Sequence, residues 1–251
     1  MTSAQTSFLL LGALTGLVLL GRTVRGHLPE HHLSTDSRDA VKLAMGLVAT
    51  MTALLLGLLV SSAKGTYDTQ RTEVIQMSAK VVFLDRVLAA FGPEAAATRG
   101  LVRGATQDAI ERLWPSEGKG PTEILPNSEV GEAIFGAIQR LAPQNDLQRA
   151  LKAQAASLAV ELGQLRMLLT AQMVPSIPQP LLISVMVWLA VIFAGFSLLA
   201  PPNATTTIAL LAAGASVAAA VFLIMELDQP LSGAIHLSSQ PMRNALRLIQ
   251  P

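Results

Sequence analysis

The run Val41–Phe91, VKLAMGLVATMTALLLGLLVSSAKGTYDTQRTEVIQMSAKVVFLDRVLAAF, reads as one near-continuous helix, and that reading decides the fold. Its first half, Leu43 to Ala63, has no charged residue and matches the roughly 20 residues needed to cross a bilayer. Its second half, Lys64 to Phe91, is charged and excluded from lipid. No proline interrupts the chain between Pro29 and Pro93. At about 1.5 Å per residue the run makes a rod of about 75 Å, more than twice a hydrocarbon core of about 30 Å. The charged half carries a seam: Val74, Met77, Val81, Leu84, Leu88 and Phe91 step by threes and fours, the period of a helix packed on other helices. A helical stalk is therefore expected to continue directly from a membrane span.

Composition agrees with a membrane class. Of 251 residues 51% are apolar and 14% charged, too apolar for an ordinary soluble domain of this size. The excess lies in four charge-free runs, Thr2–Gly21, Leu43–Ala63, Leu181–Pro201 and Pro202–Met225, each near spanning length. The first has no Lys or Arg before Arg22, so it lacks the positive flank of a secretory signal and reads as a retained span. A net charge of +1 singles out no nucleic-acid surface, and nucleic acid is not an expected partner. Cysteine is absent, which excludes disulfides, iron–sulfur clusters and thiol catalysis.

The expected fold is thus an all-α membrane protein: four transmembrane helices with an extramembrane helical bundle inserted between spans two and three. The expected division is 1–63 for spans one and two, 64–178 for the bundle and stalk, 179–226 for spans three and four, and 227–251 for a tail at the membrane interface. Gly12 and Gly16 give span one a GxxxG spacing for close helix approach. Residues 22–42 read as a solvated interfacial loop; His27, His31 and His32 within it match no recognised metal-ligand frame. Gly92-Pro93 stops the stalk. A helix over 94–113 follows, with Leu101, Val102, Ala105, Ala109, Ile110 and Leu113 on one side. Residues 114–127 hold three prolines and two glycines and read as a loop. A helix begins at Ser128 with Val130, Ile134, Ile138 and Leu141 as its stripe, and another runs from Asp146 to about Val174 with Leu151, Ala155, Leu158, Leu162, Leu165 and Leu169 as its seam. Two heptad-patterned helices bracket the region, and packing them antiparallel with the two shorter ones makes a four-helix bundle. The prolines at 175, 178 and 180 break the return helix before span three; span four is rich in small residues suited to tight packing or to a narrow pore wall.

The tail holds the most specific local pattern. Glu226 and Asp228 follow an uncharged run directly, where an acid is either a solvated end cap or part of an ion or proton site. Pro230, Gly233, His236 and Pro241 punctuate a turn-rich segment, and Met242–Ile249 reads as a short amphipathic helix carrying Arg243 and Arg247. Pairing of Asp228 with Arg243 would make a structural clamp of Pro230, Gly233, His236 and Arg243.

Several passages resemble a bacterial membrane family labelled bestrophin-like domain. They are Leu43-Ala-Met-Gly-Leu-Val-Ala-Thr, Ser62-Ala-Lys-Gly-Thr-Tyr-Asp68, Leu84-Asp-Arg-Val-Leu with Phe91-Gly-Pro-Glu94, Phe196-Ser-Leu-Leu-Ala-Pro-Pro-Asn-Ala-Thr205, Glu226-Leu-Asp-Gln-Pro-Leu-Ser-Gly233 and Ser238-Ser-Gln-Pro-Met-Arg243. Two departures stand out: Gln229 where the family often has Arg, and Pro202 where an Arg is usual. Bestrophins proper are oligomeric anion channels with four spans, a helical extramembrane region and a C-terminal segment folded back. The resemblance therefore implies an oligomeric channel-like protein of the bacterial inner membrane.

The leading expectation is a homo-oligomeric, passive ion channel in the lipid bilayer, with an inorganic ion as its ligand and span two with its stalk lining the axis. Thr50, Thr52, Leu54, Ser61, Glu226 and Asp228 are the candidate pore-lining or ion-binding residues. The rival is a membrane-anchored scaffold or sensor whose bundle binds a protein partner, which the absence of intramembrane charge favours. No Cys, HExxH, nucleotide loop or paired intramembrane carboxylate is present, so no catalytic residue, cofactor or metal ligand is assigned and an enzyme is not expected. Arg22 and Arg25 after span one favour an outside N-terminus, which places the bundle outside the cytoplasm; the bestrophin resemblance implies the opposite side.

Overall fold

A computed structural model describes residues 2–27, 35–114, 128–172, 177–201, 203–229 and 235–249. Eight α-helices are present there: α1 (Ser3–Arg25), α2 (Thr35–Phe91), α3 (Ala96–Leu113), α4 (Ser128–Arg140), α5 (Asp146–Ala171), α6 (Gln179–Leu199), α7 (Ala204–Leu227) and α8 (Gln240–Leu248). Four of them, α1, α2, α6 and α7, are long and apolar enough to cross a membrane. The protein is all-α, with no strand among the described residues.

The 57-residue α2 confirms the unbroken helix and starts earlier than its apolar run, at Thr35, with Asp36 in the first turn where the helix dipole favours an acid. It ends at a defined stop. Gly92 has φ of 131°, a conformation that side chains rarely adopt, and Gln148 Nε2 donates to the last helical carbonyl, Phe91 O, at 2.8 Å.

The chain divides into two compact units, Met1–Thr66 with Pro175–Asp228 and Tyr67–Val174 with Gln229–Pro251. In the first unit, α1 opens with a capping box: Gln5 N donates to Thr2 Oγ1, and Thr2 N donates to Gln5 Oε1. Leu14, Val18, Leu59, Val185, Leu189 and Val221 are among its buried residues. The close helix approach expected at Gly12 and Gly16 occurs elsewhere. Both face open space, whereas a Cβ on Gly21 would lie 2.6 Å from Ser197 Cβ. There Ser197 Oγ donates to Val18 O at 2.6 Å, so α1 and α6 meet through a glycine and a small hydroxyl.

Residues 22–42 are not a solvated loop throughout. Helix α1 continues to Arg25, α2 begins at Thr35, and both α1 arginines turn onto the end of α6 and the start of α7. Arg25 Nη1 donates to Ala200 O and to Leu198 O, carbonyls that the last turn of α6 leaves without helical donors. Arg22 Nη1 donates to Thr207 Oγ1. His27 is exposed and its Nδ1 lies 3.0 Å from Thr23 O; His31 and His32 lie outside the described residues.

The second unit is built on the expected seams. Val81, Leu84, Leu88 and Phe91 of α2 are buried with Ile138 and Leu141 at the end of α4, and with Ala155 and Leu158 of α5. Helix α8 is a fifth member of this bundle, with Met242, Ala245 and Ile249 buried. The face of α3 is corrected. Thr98, Val102, Thr106 and Ile110 are its buried residues, a strict four-residue stripe, while Leu101 is 45% exposed. Threonine is tolerated inside because its hydroxyl donates within the helix, as Thr106 Oγ1 does to Val102 O at 2.8 Å.

Asp85 and Arg99 form a part-buried two-pronged ion pair between α2 and α3, Nε to Oδ1 at 2.7 Å and Nη2 to Oδ2 at 3.0 Å. The hydrogen bond from the guanidinium to Asp85 raises the Arg99 pKa above its ordinary value.

Candidate functional site

Helix α2 uses only one side of its membrane-length segment against the first unit. Met45, Thr52, Leu59 and Ala63 are buried, on a spacing of seven, seven and four. The opposite side is exposed and carries the small groups Gly46, Thr50, Ala53, Gly57 and Ser61, which step by four, three, four and four. A Cβ on Gly46 or Gly57 would meet nothing within 4 Å. Leu47, Leu54 and Leu58 border this stripe and are 59–71% exposed. The result is an exposed strip of small and hydroxyl-bearing residues with leucines beside it, running along the helix.

Of the sequence candidates, Thr50, Leu54 and Ser61 fall on this exposed side. Thr52 does not. It is two residues from Thr50, about 200° around the helix, 2% exposed, and its Oγ1 donates to Val48 O at 2.7 Å. Thr50 Oγ1 donates to Gly46 O at 2.9 Å, which commits its proton and leaves its lone pairs outward. Such an oxygen can accept from water or ligate a cation.

Glu226 and Asp228, at the end of α7, are not solvated caps: they are 3% and 7% exposed. Glu226 Oε1 accepts from Ser3 Oγ at the start of α1, which ties the two ends of the first unit's chain together. Pro230 and Gly233 lie outside the described residues, and His236 is exposed. Arg243 is bonded within its own helix, Nε donating to Ser239 Oγ at 2.9 Å, and no carboxylate pairs with it among the described residues. The tail is held instead by residues that the charge pattern did not single out. Trp114 Nε1 donates to Leu237 O at 2.6 Å, and Leu237 is 1% exposed.

The second unit also contains a partly open cavity of about 440 Å³ between α2, α3, α4 and α5, with Met242 of α8 at its wall. Its lining is mainly apolar, including Val81, Val102, Ile134 and Phe135, with Asp108, Arg112, Glu132 and Arg166 as its charged members. Burial lowers the Arg166 pKa below its ordinary value, and the neighbouring charge of Arg112 lowers it further.

The family profile described as bestrophin-like domain matches residues 12–242, which includes all eight helices in whole or part. The chain belongs to the bestrophin-like domain family. Neither the curated proteins nor the solved structures gave a match. The family match extends over all four helices that are long and apolar enough to cross a membrane. Within the family's match, α2 exposes this strip of small residues, and α7 exposes a second one, Thr205, Ala209, Ala212, Ser216 and Ala219.

Proposed function

We propose that this bestrophin-like protein is the subunit of a homo-oligomeric channel that conducts ions passively across the bacterial inner membrane, without enzymatic turnover. The observation that carries the reading is the exposed stripe Gly46–Thr50–Ala53–Gly57–Ser61 on a membrane-length helix. On this side of α2 the row of glycines and hydroxyls leaves room for water or for the close approach of a neighbouring helix. Around a closed ring, the same stripe lines an axis and the leucines pack between neighbours. Four spans from one chain are too few for an ordinary pore, so the reading requires several copies. Glu226 and Asp228 are proposed as buried acids near a membrane end, where they shape the local field without forming the narrow part of the pathway.

The test is native mass spectrometry of the protein released from mild detergent. A discrete assembly of several subunits supports the reading. A monomer at all concentrations removes the axis and with it the channel.

A second reading has its own observation. The apolar cavity of about 440 Å³ in the second unit, with Arg112 and Arg166 on its wall, suits a membrane-anchored scaffold or sensor whose bundle receives a partner. A single stoichiometric partner recovered in mild detergent, together with no flux in liposomes, supports that alternative.

A further inference from the structure

Three side-chain oxygens on α2 and at the end of α5 are buried without any donor: Gln70 Oε1, Glu73 Oε2 and Gln172 Oε1. Gln70 is 1% exposed and Glu73 7%. The three side chains form one network. Gln70 Nε2 donates to Gln172 O at 3.1 Å, and Gln172 Nε2 donates to Glu73 Oε1 at 2.8 Å. Each donorless oxygen shares a carbon with an atom that makes one of those bonds, so the three belong to one cluster.

Turning the amides does not resolve the deficit. Reversing Gln70 would set its oxygen against the Gln172 carbonyl, and reversing Gln172 would set its oxygen against the Glu73 carboxylate, acceptor facing acceptor in both cases. Glu73 also lacks a counter-charge: no Lys, Arg or His forms an ion pair with it among the described residues. A buried carboxylate left uncompensated is among the costliest arrangements in a protein interior, and each buried acceptor without a donor adds to it.

An occupant has to serve the oxygens and offset the carboxylate charge. A proton on Glu73 turns one of the three oxygens into a donor for a second and leaves the third without one. A water supplies two donors and no charge. A hard cation takes oxygen ligands directly, carboxylate and amide carbonyl alike, and brings a positive charge as well. One carboxylate and two neutral amides carry a single negative charge, which a monovalent ion balances and a divalent one overshoots. We propose that Gln70, Glu73 and Gln172 bind a monovalent metal cation, Na⁺ or K⁺, which joins α2 to the end of α5. This site lies within the second unit, on residues that the proposed pore does not use, and it stands whether or not the protein conducts.

The test uses the full-length protein in detergent at neutral pH. Choline chloride is replaced stepwise by NaCl or KCl at constant ionic strength, with thermal unfolding followed by circular dichroism. The expected result is a saturable rise in Tm with at least one of the two metal ions, lost in Glu73→Gln and retained in Glu161→Gln. If Glu73→Gln does not fold, sodium-23 linewidths of the wild-type protein replace it: excess broadening that K⁺ removes by competition supports the site. Superimposable unfolding curves in choline, Na⁺ and K⁺ overturn the proposal. So does a Glu73→Gln protein that responds like wild type, or stabilisation by Ca²⁺ alone. A Tm that follows pH and not the identity of the cation overturns it too, assigning the missing donor to a proton on Glu73.

Discussion

The Asp85–Arg99 pair gives a sharp quantitative test of the second unit's packing. Asp85 keeps 6% of its side-chain exposure and Arg99 keeps 25%, so the two members pay differently for losing each other. In Arg99→Leu the carboxylate is stranded in the interior, and a loss of about 3 kcal/mol is expected from the cost of breaking a buried pair. In Asp85→Leu the guanidinium, already a quarter exposed, can turn toward water, and the loss is nearer 2 kcal/mol. Replacing both removes the stranded charge altogether. The double variant should therefore lose only about 0–1 kcal/mol, against about 5 for simple addition. For a chain of this size each kcal/mol moves Tm by about 2–4 °C, so the double variant should melt within about 4 °C of wild type where addition gives about 10–20 °C lower. Thermal unfolding of the four proteins in one detergent measures the cycle. Losses that add, or an Asp85→Leu cost exceeding that of Arg99→Leu, would refute the reasoning.

Three further outcomes follow from single contacts. Gly21→Ala should destabilise the first unit, because its new Cβ meets Ser197, while Gly12→Ala and Gly16→Ala leave Tm unchanged or raise it by restricting the unfolded chain; comparative melting of the three variants decides this. Trp114→Phe should cost about 1–2 kcal/mol by leaving the Leu237 carbonyl without its donor, and limited proteolysis should then cut the tail before α8 faster than in wild type. The hydrogen bond and charge of Lys80 hold the Glu161 carboxyl below its ordinary value of 4.5. The stabilisation from that pair is thus complete above 4.5 and lost as pH falls through the lowered value. A Tm–pH profile should therefore flatten in its acid limb in Glu161→Gln, and an unchanged acid limb would exclude the pair as its source.

Much of the fold could be read from short-range pattern, and the limits follow from what such pattern contains. A charge-free run of spanning length is a property of one segment, so the four membrane helices were legible without knowing their neighbours. The seams of α2 and α5 were legible for the same reason: alternate steps of three and four place apolar groups on one face whatever that face meets. Helix α3 was misread because its buried stripe includes Thr98 and Thr106, and threonine is polar only until its hydroxyl finds a carbonyl one turn back. Asp228 and Glu226 were visible as acids at the end of a run, but their burial depends on elements far away in sequence, such as Ser3 at the other end of the chain. Thr50 and Thr52 looked equivalent as hydroxyls in a span. Only the packing of Met45, Thr52 and Leu59 shows which side of α2 is taken and which is left for another surface. The cluster of Gln70, Glu73 and Gln172 carries no motif at all, since two of its three members are neutral amides about a hundred positions apart.

Ion flux through purified protein in liposomes tests the central claim most directly. The account predicts flux above that of empty liposomes in at least one salt, sharply reduced when Gly57→Trp fills the small-residue stripe of α2 while the assembly keeps its native mass. Flux equal to empty liposomes in every salt, from protein that is folded and oligomeric, would contradict it.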